Sequence, residues 1–269
     1  MGKRRRHTAM LCAIVVMGVG GISGCGDSGG GGSEKDAKGA DEVQRMSAAL
    51  TTLKGYDTVR MNGRYLSTAD VDLQADREGN CVGTLDFADG GIIEFIHVGG
   101  EGTWSRYDDA NLASSRRLPE QIGPDALALH DKAAKKARGK YVESSPDEME
   151  ASETEGNKLP SLCDLDTAFA EVPDSVSGVK PRNPETKDGK RVVGLVQQPE
   201  GDAVTVYVPV TGDPVPLRVE FEIDDEPFEL DITDPDKPLD VTPPPASQTV
   251  TSAEVTGLFP EIPEHMQGE

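Results

Sequence analysis

Few side chains in this sequence have the types and spacing to do chemistry. The 269 residues include four histidines, and His97, His130 and His265 are the three that follow the N-terminal segment. No GxSxG elbow, HExxH helix or glycine-rich phosphate loop accompanies them, so nucleophilic and metal-assisted catalysis lack their parts. His97 sits in an apolar run and reads as a polar group of a core or pocket rather than as a base. Acid pairs such as Asp108-Asp109 are expected by chance among 48 acidic residues. Asp231, Asp234, Asp236 and Asp240 carry the oxygen ligands that calcium takes. Their spacing is not that of an EF-hand, however, and Pro235 and Pro238 favour a surface turn. The expectation is a protein that is not an enzyme, with no catalytic residue, no metal and no cofactor.

The cysteines are more informative. Lys3, Arg4, Arg5 and Arg6 precede a short apolar stretch from Met10 to Val19, which ends in Ile22-Ser23-Gly24-Cys25. About ten apolar residues are too few for a bilayer core that needs ~20, so a signal segment is expected at 1–24 rather than an ordinary membrane span. An aliphatic residue, two small residues and then a cysteine resemble the bacterial lipobox. That resemblance implies a diacylglyceryl group on the Cys25 thiol, with palmitate-type acyl chains, and an anchor on the extracytoplasmic face of the cell membrane. Cys12 leaves with the signal. Cys81 and Cys163 remain, outside the cytoplasm and in no CxxC motif, so a disulfide is expected between them.

Removing residues 1–24 takes away four basic side chains and no acid. It leaves 23 Lys and Arg against 48 Asp and Glu, a charge of −25. Phosphate backbones repel such a polyanion, which argues against nucleic acid as a partner. Residues 25–40 are rich in glycine, with Ser, Asp, Glu and Lys, and read as a flexible tether with a reach of roughly 20 Å.

The elements beyond it alternate between helix and strand patterns. Val43, Met46, Leu50 and Leu53 form one apolar stripe of a helix that Gly55 ends. Period-two alternation follows in five segments between Val59 and Tyr107, with Asp89-Gly90-Gly91 as a tight turn. Asn111 to Val142 reads as helix broken at Pro119, Gly123 and Pro124, and Lys132 to Arg138 is its basic run. Residues 143–158 read as an acidic loop, and Leu159 to Val172 as a short helix carrying Cys163. Strand patterns return from Arg191 to Ile232. The aromatic content is only 4% and the hydrophobic content 36%, enough for a lean core in which some 230 residues bury about 70–75% of their unfolded surface. The class is α+β: an antiparallel sheet of about nine strands, a half-barrel curled over the first helix and the central ones.

This order of elements, together with the C-terminal phrase LRVEFEIDDEPFELDITDPDKPLDVTPP at 217–244, resembles the LolA/LppX-like lipoproteins of the actinobacterial LppX/LprAFG type. The resemblance spans about residues 40–250. It implies an unclosed half-barrel whose concave face is covered by helices, and a role in holding or carrying lipids in the cell envelope. The acidic 143–158 loop, the disulfide and the high negative charge depart from the family pattern. The expected organisation is a signal at 1–24, a lipidated tether at 25–40, the domain at 41–250 and a tail at 251–269.

Two functions fit this reading. One is a carrier with a cavity for a lipid or other hydrophobic ligand. By strand parity and helix stripe, its expected lining is Val43, Met46, Leu50, Val59, Met61, Val71, Leu73, Leu85, Phe87, Val219, Phe221 and Leu230. The other is a membrane-anchored interaction or sensor module with a filled core, no lipid ligand and an envelope protein as partner. Inward alternation is the same in both, though small inward residues such as Gly63, Ala75 and Gly83 lean toward a hollow interior.

Overall fold

The computed structural model describes residues 34–260 apart from 66–68, 89, 149–161, 171, 174–175, 188, 198–203 and 224–225. The signal segment, Cys25, most of the acidic loop and the last nine residues lie outside the described residues.

Helix α1 (Glu34–Gly55) comes first, beginning inside the segment read as tether. The run Glu34-Lys35-Asp36-Ala37-Lys38 consists largely of good helix formers, which explains the earlier start. Five strands follow as a meander: β1 (Thr58–Tyr65), β2 (Ala69–Asp76), β3 (Cys81–Phe87), β4 (Gly91–Val98) and β5 (Gly102–Tyr107). The central helices are α2 (Asp109–Ser114), α3 (Arg117–Ile122) and α4 (Pro124–Ala137), and a short α5 spans Leu165–Ala168. The break expected at Gly123-Pro124 is present, whereas Pro119 lies in the first turn of α3, where proline is tolerated, and α2 and α3 part at Ser115-Arg116. Gly123 has a φ of 140°, and Pro124 opens α4, where its missing N–H has no partner to lose.

The chain returns to the sheet with β6 (Tyr141–Ser144), β7 (Lys180–Pro181), β8 (Glu185–Lys187), β9 (Lys190–Gln197), β10 (Val204–Pro209), β11 (Arg218–Ile223), β12 (Glu226–Thr233) and β13 (Thr249–Thr251). Among the described residues these thirteen strands make one sheet, in the order β13-β6-β5-β4-β3-β2-β1-β12-β11-β10-β9-β7, with β8 also on β9. All pairs are antiparallel except β13 on β6. The sheet is not closed: β13 and β7 are its ends. About nine strands were expected. The additional ones are β6, β7, β8 and β13, of two to four residues each, too short for alternation to mark them.

Strand registers line up Ile93, Leu85, Val71, Gly63, Leu230, Val219, Val206 and Leu195 as one inward row across eight strands. Two inward glycines sit close against neighbouring backbone, Gly63 in that row and Gly83 in the adjacent one. A Cβ at Gly63, whose φ is 149°, would stand 2.0 Å from the Glu229 carbonyl oxygen. One at Gly83 would stand 2.4 Å from that of Asp72. The space these glycines spare is filled by neighbouring backbone, so they bend the sheet rather than hollow the core.

Two separate cores cover the concave face. The main one packs α1 residues Met46, Ala49, Leu50 and Leu53 and the segment Leu162–Val172 onto β1–β4 and β9–β12. Each such large side chain contributes about 1.5–3 kcal/mol by leaving water. Arg77 pins the end of α1: its Nε donates to the Tyr56 carbonyl at 2.9 Å, and its other nitrogens reach the Lys54 carbonyl and the Asp166 carboxylate. The expected disulfide is present. Cys81 at the start of β3 is bonded to Cys163 just before α5, with Cα atoms 5.1 Å apart, so it staples the Leu162–Val172 segment to the sheet.

The second core joins Leu112, Ala133, Ala134 and Ala137 of the central helices to Val142, Val250, Val255 and Leu258. Packing therefore continues past residue 250, where a tail was expected to begin, through the parallel pairing of β13 with β6. No helix among the described residues is long and apolar enough to cross a membrane.

Candidate functional site: a cavity between the two cores

A cavity of about 670 Å³ opens where the main and second cores meet. One wall is the β3–β4 hairpin, through Phe87, Ala88, Gly90 and Ile93. Phe87 and Ile93 are inward residues of the sheet, and both also pack against the main core. The second wall is Asn111, Ser114, Ser115, Arg117 and Leu118 of α2 and α3. The third is the C-terminal strap Leu258-Phe259-Pro260. Leu258 is buried in the second core, whereas Phe259 is 56% exposed beside the opening.

Local geometry explains how these walls hold together. Asp108 caps α2 by accepting a hydrogen bond from the Asn111 N–H at 2.6 Å. The turn fits against that cap so closely that a Cβ on Gly91 would lie 2.4 Å from Asp108 Oδ1. Ser114 Oγ donates to the Gly90 carbonyl at 3.1 Å, tying helix to hairpin. The strap is held by Leu258 and by Phe259, whose ring lies 5.3 Å from that of Tyr107 at a tilt of 56°. Burial pushes the Tyr107 phenol up to about 12, so it stays neutral at physiological pH.

Behind this wall His130 is buried, with Nε2 3.0 Å from Ser115 Oγ. Its Nδ1 lies 3.7 Å from Asp131 Oδ1, too far for a hydrogen bond, and has no other partner among the described residues. His97 sits elsewhere, opposite Cys81 in the sheet, with Nδ1 2.7 Å from Thr103 Oγ1. Burial lowers its pKa and keeps it neutral.

The twelve residues expected to line a cavity are brought together, but mostly as packing. Met46, Leu50, Val59, Met61, Val71, Leu73, Leu85, Val219 and Leu230 are buried in the main core, and Val43, Phe87 and Phe221 pack against it. Of the twelve, Phe87 also lines the cavity. The polar wall was not anticipated from the sequence. Its signal is the i, i+3, i+4 spacing of Asn111, Ser114 and Ser115, a polar stripe on a helix otherwise read only for its breaks. Three of the four aspartates weighed for calcium are otherwise engaged: Asp231 with Arg218 at 2.8 Å, Asp234 with Lys237 at 2.6 Å, and Asp236 with the Asp57 N–H at 2.9 Å.

No family model matches the sequence, and no curated protein does. Among solved structures, the chain is similar to LprF from Mycobacterium bovis, at 12% identity over 76% of this chain and 97% of that one, with a TM-score of 0.47. It is also similar to the lipoprotein LppX from Mycobacterium tuberculosis, at 13% identity over 76% and 99% of the two chains, with a TM-score of 0.43. The observed architecture is the one that the sequence resemblance implied: an unclosed antiparallel sheet curled over an N-terminal helix and central helices.

Proposed function

We propose that this protein is an envelope lipoprotein, anchored through an acylated Cys25, that binds the acyl chain of a lipid in the cavity between the β3–β4 hairpin, α2–α3 and the C-terminal strap. The observation that supports this reading most is the cavity itself. It is an opening of about 670 Å³ whose wall includes Phe87, Ile93, Leu118 and Leu258, beside a main core that is closely packed among the described residues. That volume lies within the roughly 300–1,000 Å³ of ordinary ligand sites. Each buried methylene contributes ~0.8 kcal/mol, so eight to ten of them contribute roughly 6–8 kcal/mol before association costs, the scale of micromolar to weaker binding. The sequence supports the anchor: a signal at 1–24, the lipobox-like Ile22-Ser23-Gly24-Cys25 and a glycine-rich stretch after it.

A second reading, an anchored interaction module, draws on a different observation. The main core under α1 is solid, with Met46, Leu53, Val59 and Met61 all at 0% exposure. Such a module needs no ligand at all. Extracting the full-length protein from envelopes and identifying bound lipids by mass spectrometry separates the two. The carrier reading requires a stoichiometric acyl lipid beyond the covalent anchor; its absence leaves the interaction module.

A further inference from the structure

The polar wall of the cavity has two groups that no internal interaction uses. Asn111 is only 7% exposed, yet its side-chain amide has no hydrogen-bond partner among the described residues. Its backbone N–H and carbonyl are both taken, by Asp108 and by Ser114 and Ser115, so the amide alone is left over on a residue that lines the cavity. The amide is not sealed from solvent, so in the open cavity either water or the polar atoms of a ligand can satisfy it. The second group is Arg117, the single charged residue among the described lining and one with no ion pair among the described residues. Its neighbour Arg116 differs: that guanidinium is engaged by Glu120 at 2.7 Å and Asp131 at 2.8 Å. The two serines are committed as donors, Ser114 Oγ to Gly90 and Asn111 carbonyls and Ser115 Oγ to that of Leu112, and Ser115 Oγ also meets His130 Nε2, so neither has a hydrogen left to donate to a ligand.

The Arg117 side chain is exposed at the rim of the cavity. At the edge of an apolar cavity it presents a planar fork of donors suited to two anionic oxygens. No described carboxylate lines the cavity to compete for it. We propose that the ligand is an acyl amphiphile with an anionic head group, a carboxylate or a phosphate monoester, whose oxygens accept from the Arg117 guanidinium and the Asn111 amide while its chain lies against Phe87, Ile93 and Leu258. This rests on the lipid-binding reading above and specifies the head group. The same contacts fit a free fatty acid and a phosphorylated lipid, because both present two or more anionic oxygens at one end of a chain.

The test uses full-length protein in phosphatidylcholine vesicles and three diazirine-bearing probes of equal chain length: hexadecanoate, hexadecyl phosphate and hexadecanol. Crosslinks are mapped by peptide mass spectrometry. At least one anionic probe should label the β3–β4 hairpin and α2 peptides about tenfold more efficiently than the alcohol, the factor expected for a hydrogen bond to a charged group. Whichever of the two dominates names the head group. Arg117→Ala should erase the preference and Arg117→Lys restore part of it. Asn111→Leu, checked by its thermal midpoint, should weaken labelling by the anionic probes more than by the alcohol. Equal labelling by all three probes, or a preference that survives Arg117→Ala, overturns the head-group assignment and leaves lipid binding standing. Absence of labelling at this site by every probe overturns both.

Discussion

Replacing both Cys81 and Cys163 by alanine tests how the fold is held on its heaviest side. The bond joins residues 82 apart in sequence, and loop-closure entropy for that separation amounts to about 4–5 kcal/mol of stability. Both sulfurs lie in the main core, at 0% and 1% exposure, so truncation also removes packing there. What the bond fixes is specific: Leu162, Leu165, Phe169 and Val172 are pressed onto the strands of the main core beside Cys163. Without it that segment is held by those contacts and by Arg77 at Asp166. Chemical denaturation of oxidised wild type and of the double variant should show a loss of about 4 kcal/mol or more. Hydrogen exchange should rise first in residues 162–172, whereas amides of α4 and β6 in the second core should stay protected until global unfolding. A loss below ~1 kcal/mol, or uniform exchange throughout, would refute the idea that this bond holds the segment to the sheet.

Other outcomes follow from the same geometry. Gly63→Ala should destabilise the protein by about 2 kcal/mol or more in thermal melts, because its Cβ would meet the Glu229 carbonyl at 2.0 Å and its φ is 149°. His97 is held neutral by burial, with its folded pKa below the ordinary 6.5, so the unfolded chain takes up the proton first. Its contribution should be intact above pH 6.5 and fall away as pH drops below that value. His97→Gln should flatten this part of the stability–pH curve; an unchanged slope contradicts the assignment. Cys25→Ala should abolish both incorporation of labelled fatty acid and membrane retention in cells, and equal labelling of the variant would exclude that residue as the anchor.

Much of the architecture was legible because it is written in short-range patterns. Val219 and Phe221 alternate with Arg218 and Glu220, and that alternation is the observed inward and outward parity of β11. Gly123 and Pro124 mark a helix boundary by chemistry that acts within a few residues. What escaped depends on distant partners. β13 is three residues long and exists because β6, about a hundred residues earlier, offers it an edge. Gly63 and Gly83 suggested empty space, since sequence does not reveal that Glu229 and Asp72 carbonyls approach so closely. The parity of Leu73 or Val219 names the concave face but not whether helix α1 fills it. The cavity lies instead where two cores meet, and its polar wall comes from a helix whose inward side is set only by tertiary packing.

The central claim is that the space occupied by lipid is the one beside Phe87, not the volume under α1. The most direct measurement is the stoichiometry of lipid recovered from purified full-length protein, compared among wild type, Ala88→Trp and Leu73→Trp. Ala88 is exposed and lines the cavity, so a tryptophan there should occupy the opening with little effect on the thermal midpoint. Leu73 is 1% exposed in the solid core, where an indole should overpack and cost about 1–3 kcal/mol. The account predicts that Ala88→Trp loses most of its bound lipid at unchanged stability, while folded Leu73→Trp is less stable and still retains it. Full lipid occupancy in Ala88→Trp, with lipid lost from a fully stable Leu73→Trp, would contradict the account and place the ligand under α1.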